Sequence, residues 1–196
     1  MTQAALASLV ARRLCHDFAG PVGAVTTALD MMADGSDPEL LSLVTDSAAS
    51  LSANLRLYRF TLAPSNEPAS SGVARELFVD WLKSHEGLEL DWAGGSDDWP
   101  AGVAELTTGL GIIAADAAGR GGRLTITQGK VRVDASVLAI DPDLADVLGG
   151  GSPPVTTRLA IAGVIAAQAA AAGLTIRIDQ DADGLTLTAY QGNTAP

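Results

Sequence analysis

The sequence predicts an α+β protein in which an antiparallel helical hairpin precedes an α/β sandwich. Residues 3–62 show only helical periodicity, a stretch rich in Pro and Ser follows, and the remainder alternates helical segments with short strands. We therefore expect a hairpin domain over residues 1–63, a linker over 64–72 and a sandwich over 73–192. The chain of 196 residues is 47% hydrophobic but only 4% aromatic, so small side chains should dominate its core.

The hairpin follows from two apolar stripes and one short loop. In residues 3–33 the apolar side chains recur every three, four or seven positions, and residues 38–62 repeat the pattern. Between them, Gly35 ends the first helix, Asp37 can cap the second, and Pro38 suits the first position of the second. So short a loop makes the helices antiparallel neighbours. A lone hairpin cannot bury both apolar faces, so we expect a homodimer held by a four-helix bundle.

The second part is expected to place two helices on one face of a mixed sheet. The hairpin turns are predicted at Gln128-Gly129 and Asp183-Gly184. In chain order, the predicted elements are a helix at 73–85, a strand at 88–93, a helix at 100–118, a hairpin at 122–135, helices at 141–148 and 154–172, and a hairpin at 173–190.

Charge and composition exclude several classes of function. The net charge is −11, of which the part after residue 63 carries −9, so nucleic acid is not expected as a partner. Cys15 is the single cysteine, which rules out an internal disulfide and favours a reducing compartment. No signal peptide is evident, and the longest apolar stretch, at 159–174, is too short to span a bilayer. We expect a cytoplasmic protein without a membrane anchor.

The stretch LCHDFAGPVGA contains the strongest functional candidate. His16 lies two positions from both Leu14 and Phe18, so it points away from the apolar stripe and toward solvent. Asp17 can contact the imidazole and favour one tautomer, which leaves the other nitrogen as a nucleophile. The alternative is an ordinary surface histidine beside a solvated carboxylate. The other histidine, His85, is expected to be a surface or capping residue.

The residues after His16 are unusual for a helix. The surface of the helix carries no large side chain at Ala19, Gly20 and Gly23. Each Gly lowers helix stability by about 1 kcal/mol relative to Ala in a helix interior. Pro21 removes a helical amide, so we expect a bend that costs roughly 3 kcal/mol. Something is therefore expected to approach this backbone closely; the alternative is simple helix weakness before a kink.

Four arginines are expected near His16. The hairpin brings Arg56 and Arg59 to the level of His16, where Arg12 and Arg13 also lie. Guanidinium groups around an imidazole suit a phosphate or an acidic partner surface. The alternative is a set of scattered solubilising charges.

The spacing of His16, Asp17 and Pro21 resembles the phosphoacceptor box of sensor histidine kinases. The chain also follows the layout of that family, with a dimerising hairpin, a linker and an ATP-binding sandwich. RLCHDFAGPVGAVTTALDMM, followed by LRLYRF, is more similar to the ChpT-type histidine phosphotransferases of alphaproteobacteria. Those proteins keep the kinase architecture as dimers but do not bind ATP.

The motifs that a kinase needs for ATP are missing from the second part. ELTTGLGIIAADAAGRGG, at 105–122, lacks the Asn that helps to hold Mg²⁺, and VDASVLAIDPDL, at 133–144, lacks the adenine-binding glycines. GGGSPP, at 149–154, has no Lys and no G-x-x-x-x-G-K pattern. The resemblance therefore implies a degenerate histidine-kinase-like ATPase sandwich without nucleotide binding.

The resemblance implies a histidine phosphotransfer protein of a bacterial two-component phosphorelay. His16 would accept phosphate from the phospho-Asp of a receiver domain in a hybrid kinase and pass it to a response regulator. Asp17 would orient the ring and accept or share its proton, and Pro21 would bend the helix. No cofactor or metal is expected in this chain, because the receiver supplies Mg²⁺. The predicted partner- and phosphate-binding residues are Arg12, Arg13, Ala19, Gly20, Gly23, Arg56 and Arg59.

Two alternatives stay open at this point. One is a divergent ATP-dependent histidine kinase, and the other is a non-catalytic dimeric module that binds receivers. Gly20 also stands where kinases often carry a Thr or Asn that positions water for dephosphorylating the receiver. We therefore expect weak or absent phosphatase activity.

Overall fold

The computed structural model of the protein consists of a long helical hairpin packed against an α/β sandwich. It describes residues 3–33, 35, 37–65, 67–95, 97–119 and 121–191. The predicted loop at 33–39, linker at 64–72 and sandwich at 73–192 each contain residues outside these ranges, and no structure is assigned to those residues.

Six α-helices and seven strands occur within the described ranges. The helices are α1 (Gln3–Met32), α2 (Pro38–Leu62), α3 (Ser71–Leu82), α4 (Val103–Ala118), α5 (Leu144–Leu148) and α6 (Ala160–Ala171). The strands are β1 (Ala69–Ser70), β2 (Leu88–Trp92), β3 (Asp98–Trp99), β4 (Gly122–Thr127), β5 (Lys130–Asp134), β6 (Leu174–Gln180) and β7 (Gly184–Gln191).

The two hairpin helices form as the sequence predicts. The Asp37 side chain caps α2 by accepting the Glu39 N–H at 2.8 Å, and Pro38 occupies the first helical position, where its missing N–H is not needed. α1 continues without interruption through Pro21. The expected bend there stays a prediction.

The sandwich consists of a five-stranded sheet and a layer of helices. The strand order is β2-β4-β5-β7-β6, in which β2 pairs parallel with β4 and the other pairs are antiparallel. α4 packs on the central strands, with α3 and α6 beside it. The short α5 also contacts β6, so more helices lie on the sheet than the two that the sequence predicts.

Two glycines allow α4 to be enclosed on both sides. A Cβ at Gly111 would lie 2.7 Å from the Phe78 ring of α3, and one at Gly109 would overlap Ile165 of α6. Larger side chains at these positions would push α3 and α6 away, so close helix packing explains both glycines.

Several element boundaries differ from the prediction. The linker ends earlier, because its last residues form β1, which pairs with β3, and α3 begins at Ser71 after the Ser70 side chain caps it. The helix predicted at 154–172 begins only at Thr157, as a 3₁₀ turn, Thr157–Leu159. The helix predicted at 141–148 is reduced to α5.

The two predicted hairpins are present. The first turns at Gln128-Gly129, as predicted, and the second turns one residue earlier, over 181–183. Within the described ranges, no helix has both the length and the hydropathy needed to cross a bilayer.

Candidate phosphoacceptor site

His16 projects from α1 into solvent, as its helical position predicts. Its side chain is 86% exposed, while the neighbouring Asp17 side chain is only 17% exposed. Nδ1 of the imidazole lies 3.2 Å from Oδ1 of Asp17. The carboxylate therefore engages one ring nitrogen from the protein side.

The Asp17 carboxylate is held by two further side chains. Its Oδ2 accepts a hydrogen bond from Nε of Arg13 at 2.7 Å and another from the Tyr58 hydroxyl of α2 at 2.5 Å. Partial burial of Asp17 opposes its ionisation, but the hydrogen bonds from Tyr58 and Arg13 and the Arg13 charge outweigh this, so the pKa of Asp17 is lowered. Burial and the bond to Asp17 raise the pKa of Tyr58, which remains a hydrogen-bond donor.

Arg13, a predicted phosphate-binding residue, is largely buried in the structure. Its side chain is only 15% exposed, and its Nη1 lies 2.9 Å from Oδ2 of Asp116 on α4. A second bond joins Nη2 of Arg13 to Oδ1 of Asp116 at 3.0 Å. Because the Arg13 guanidinium is hydrogen-bonded to the Asp17 and Asp116 carboxylates, the geometry does not favour the expected direct contact of Arg13 with phosphate.

Arg56 reaches the level of Gly20, about one helical turn from the level of His16 at which the predicted hairpin register places it. Both residues, together with Pro21, line a groove of about 810 Å³ between the hairpin and the end of α3. Arg56 is exposed and pairs with Asp80 of α3 at 3.3 Å. The groove therefore begins about one helical turn from His16.

The remaining predicted residues lie on the surface of the hairpin. No hydrogen bond or ion pair among the described residues joins Arg12 or Arg59 to His16. An added Cβ at Gly20 or Gly23 would meet nothing within 4 Å, so packing inside the protomer does not require glycine at either position. Four predicted residues are exposed without being tied to the histidine: Arg12, Ala19, Gly23 and Arg59.

Tyr58 and Asp116 are site residues that sequence reasoning missed, although each left a signal. The register that places Arg56 near His16 also places Tyr58 there, and a tyrosine on an apolar face needs a partner for its hydroxyl. Asp116 lies in the last turn of α4, where the helix dipole disfavours an acid unless a cation is close. Neither signal identifies the partner.

The cleft between α4 and α6 is small. It is lined by residues of α4, of the segment after β5 and of the start of α6, and its volume of about 20 Å³ holds about one water molecule. Arg158 crosses it and donates to the carbonyl oxygen of Ala139 at 2.6 Å. Within the described ranges, no three His, Cys, Asp or Glu side chains come together as metal ligands do.

Comparison with known proteins agrees with this architecture. Residues 72–184 match the family model for the histidine phosphotransferase C-terminal domain. The chain is 25% identical over 160 residues to the protein phosphotransferase ChpT of Brucella abortus (strain 2308), which covers 76% of each chain. The chain belongs to the histidine phosphotransferase family.

Solved structures share the fold over nearly the whole chain. A bacterial phosphotransferase superimposes with a TM-score of 0.83 at 23% identity, covering 97% of this chain and 98% of the other. The histidine kinase AdeS of Acinetobacter baumannii gives a TM-score of 0.50 at 16% identity, covering 92% and 98%. The predicted α+β fold, with a kinase-like sandwich after a helical hairpin, is confirmed, and membership of the family supports phosphotransfer in two-component signalling.

Proposed function

We propose that this protein relays phosphate through His16, from the phospho-Asp of a hybrid kinase receiver to the Asp of a response regulator. The observation that carries the proposal is the exposed imidazole whose Nδ1 faces the Asp17 carboxylate. This arrangement directs Nε2 to solvent, where a receiver can reach it. The carboxylate favours the tautomer with a proton on Nδ1 and a lone pair on Nε2.

In the transfer step, Nε2 of His16 attacks the phosphorus of the receiver's acyl phosphate in line. The N–P bond forms as the P–O bond to the receiver Asp breaks, and that carboxylate leaves with the electron pair. The ring then carries a positive charge, which the Asp17 anion stabilises. The same steps in reverse deliver phosphate to the second receiver.

Asp17 orients the ring and shares its proton in this proposal. A carboxylate with a lowered pKa is a weak base, so the proton stays on Nδ1 and is held by a hydrogen bond. Ala19, Gly20 and Gly23 leave the surface beside His16 open to the receiver. Arg12, Arg56 and Arg59 favour an acidic receiver surface, because receivers bind Mg²⁺ through carboxylates, and that Mg²⁺ arrives with the partner.

We further propose that the chain does not use ATP. A cleft of about 20 Å³ cannot hold a purine, and the Arg158 side chain already crosses it. The segments around it lack the Asn, the glycines and the Lys that nucleotide binding in kinases uses. The sandwich is then free to serve as a scaffold and docking surface for receivers.

The hairpin supports a homodimer. Of the 30 residues of α1, all of which are described, only Ala28 is buried. Val22 and Leu29 lie one heptad apart on α1, and Leu41 and Leu55 lie two heptads apart on α2, as in helices that face a partner. Six large apolar side chains of the hairpin are 44–60% exposed: Val22, Leu29, Met31, Leu41, Leu43 and Leu55.

The test is transfer of a ³²P label from a phosphorylated receiver domain with Mg²⁺ to the full chain. Label should appear in an acid-labile form on the wild type and on His85→Ala, but not on His16→Ala. Equal labelling of His16→Ala contradicts the phosphoacceptor role. Labelling from ATP and Mg²⁺ alone supports the kinase alternative, while receiver binding without label in any variant supports the non-catalytic module.

A further inference from the structure

A network of four side chains behind His16 joins three helices. Oδ2 of Asp17 accepts hydrogen bonds from both the Arg13 Nε and the Tyr58 hydroxyl, and only Oδ1 faces the imidazole. Since Oδ2 is occupied, the carboxylate cannot rotate to offer His16 its other oxygen without breaking two hydrogen bonds. The orientation of Oδ1 is therefore determined by Arg13 and Tyr58.

The far end of the network is anchored in the sandwich. Asp116 of α4 holds the Arg13 guanidinium by two bonds, at 2.9 and 3.0 Å. The planar guanidinium bridges two carboxylates with fixed directions, which an ammonium group would not do. The Arg13, Asp17 and Asp116 side chains are 15%, 17% and 25% exposed, so solvent screens these ion pairs less than surface pairs.

We propose that Arg13, Tyr58 and Asp116 are positioning residues, through which the sandwich sets the orientation and tautomer of His16. The proposal deepens the phosphoacceptor role proposed above and rests on it. Asp116 does not touch the imidazole; it acts by holding Arg13, which with Tyr58 directs Oδ1 of Asp17 at Nδ1. The sandwich thereby contributes to the reactivity of a histidine that lies on the other domain.

The alternative tautomer explains why this matters. With the proton on Nε2, the Nδ1 lone pair would face the Asp17 anion, and the nucleophilic nitrogen would carry a hydrogen. A firmly placed anion excludes that state more completely than a rotating one. The lowered pKa of Asp17 keeps the anion in place across the neutral range.

The first measurement is the ring tautomer, which requires no phosphate transfer. Long-range ¹H–¹⁵N correlation spectra of the full chain at mildly alkaline pH should show His16 with its proton on Nδ1. Asp116→Asn and Tyr58→Phe should both increase the Nε2–H fraction. His85 is the internal reference, since it contacts Trp81 instead of the network and should not change.

The second measurement is the rate of transfer at saturating phosphorylated receiver. Loss of one network bond should slow transfer about three- to tenfold, with little change in the receiver concentration that gives half the maximal rate. In an Asp17→Asn background, Asp116→Asn should have no further effect, because both changes act through one carboxylate. The matched control is Asp181→Asn, which removes a carboxylate from the Arg132 ion pair elsewhere on the sandwich.

The outcomes separate this proposal from the function on which it rests. If wild type transfers phosphate but Asp116→Asn and Tyr58→Phe keep its tautomer and rate, the network has no positioning role. A shifted tautomer with an unchanged rate also overturns the proposal. If wild-type His16 accepts no phosphate, the proposed function fails, and the tautomer spectra still decide whether the network orients the ring. Should Asp116→Asn not fold, Tyr58→Phe decides, because it deletes one hydroxyl and keeps the ring.

Discussion

Replacing Leu29 with Ala tests the proposed dimer through one side chain on α1. Leu29 is 52% exposed in the protomer, so a partner hairpin that covers it removes about half of its surface from water. Full burial of a Leu side chain contributes about 1.5–3 kcal/mol of favourable free energy. A symmetric dimer buries half of a Leu29 side chain in each of its two protomers, so the contribution to the free energy of dimerisation is again about 1.5–3 kcal/mol. The dissociation constant of the dimer should therefore rise about ten- to hundredfold.

Sedimentation equilibrium over a concentration series measures this change. Val155→Ala is the control, because Val155 is 71% exposed but belongs to the sandwich, and its substitution should leave dimerisation unchanged. The four-helix bundle is refuted if Leu29→Ala dimerises as tightly as wild type, or if the wild type stays monomeric throughout the series.

Three further predictions concern the site. Because the pKa of Asp17 is lowered, its contribution to the free energy of unfolding is complete above about pH 4 and is lost as the pH falls through its folded-state pKa. In urea unfolding between pH 2 and 7, the free energy of unfolding of Asp17→Asn should therefore fall less steeply toward low pH than that of wild type. Parallel pH dependences of the two proteins contradict this. The raised pKa of Tyr58 predicts that its phenolate absorbance, isolated in Tyr190→Phe, appears well above pH 10 and moves down when Asp17→Asn is added; an unmoved titration contradicts the hydrogen bond. Because Gly20 offers no side chain to position water, the chain with His16→Ala should leave the lifetime of a receiver's acyl phosphate unchanged, and faster loss contradicts this expectation.

The sequence alone predicts the hairpin and the exposure of the histidine. Helical periodicity, the cap before Pro38 and the short loop depend on residues close along the chain, so local rules suffice. The direction of His16 follows from the 100° step between helical residues, independent of any tertiary contact. The turn at Gln128-Gly129 is predicted for the same reason, because its backbone requirement is local.

Elements stabilised by distant partners are less predictable. β1 and β3 are two residues each and exist because they pair with each other, although the paired residues are 28 and 30 positions apart in the sequence. The placement of α3 and α6 beside α4 depends on how α4 packs. Gly109 and Gly111 of α4 indicate that other elements approach this helix closely, but they do not identify those elements as α3 and α6.

The contacts of Arg13 show most clearly which features depend on local sequence and which depend on tertiary structure. Its spacing of four residues from Asp17 allows an ion pair on one helix, and the sequence indicates a cationic neighbour for His16. Only the tertiary structure brings Asp116, 103 residues further along the chain, to the same guanidinium. The sequence by itself determined that the His16 side chain faces solvent. The position of α4 decided that Asp116 also holds the Arg13 guanidinium, since that ion pair depends on where a helix of the sandwich lies.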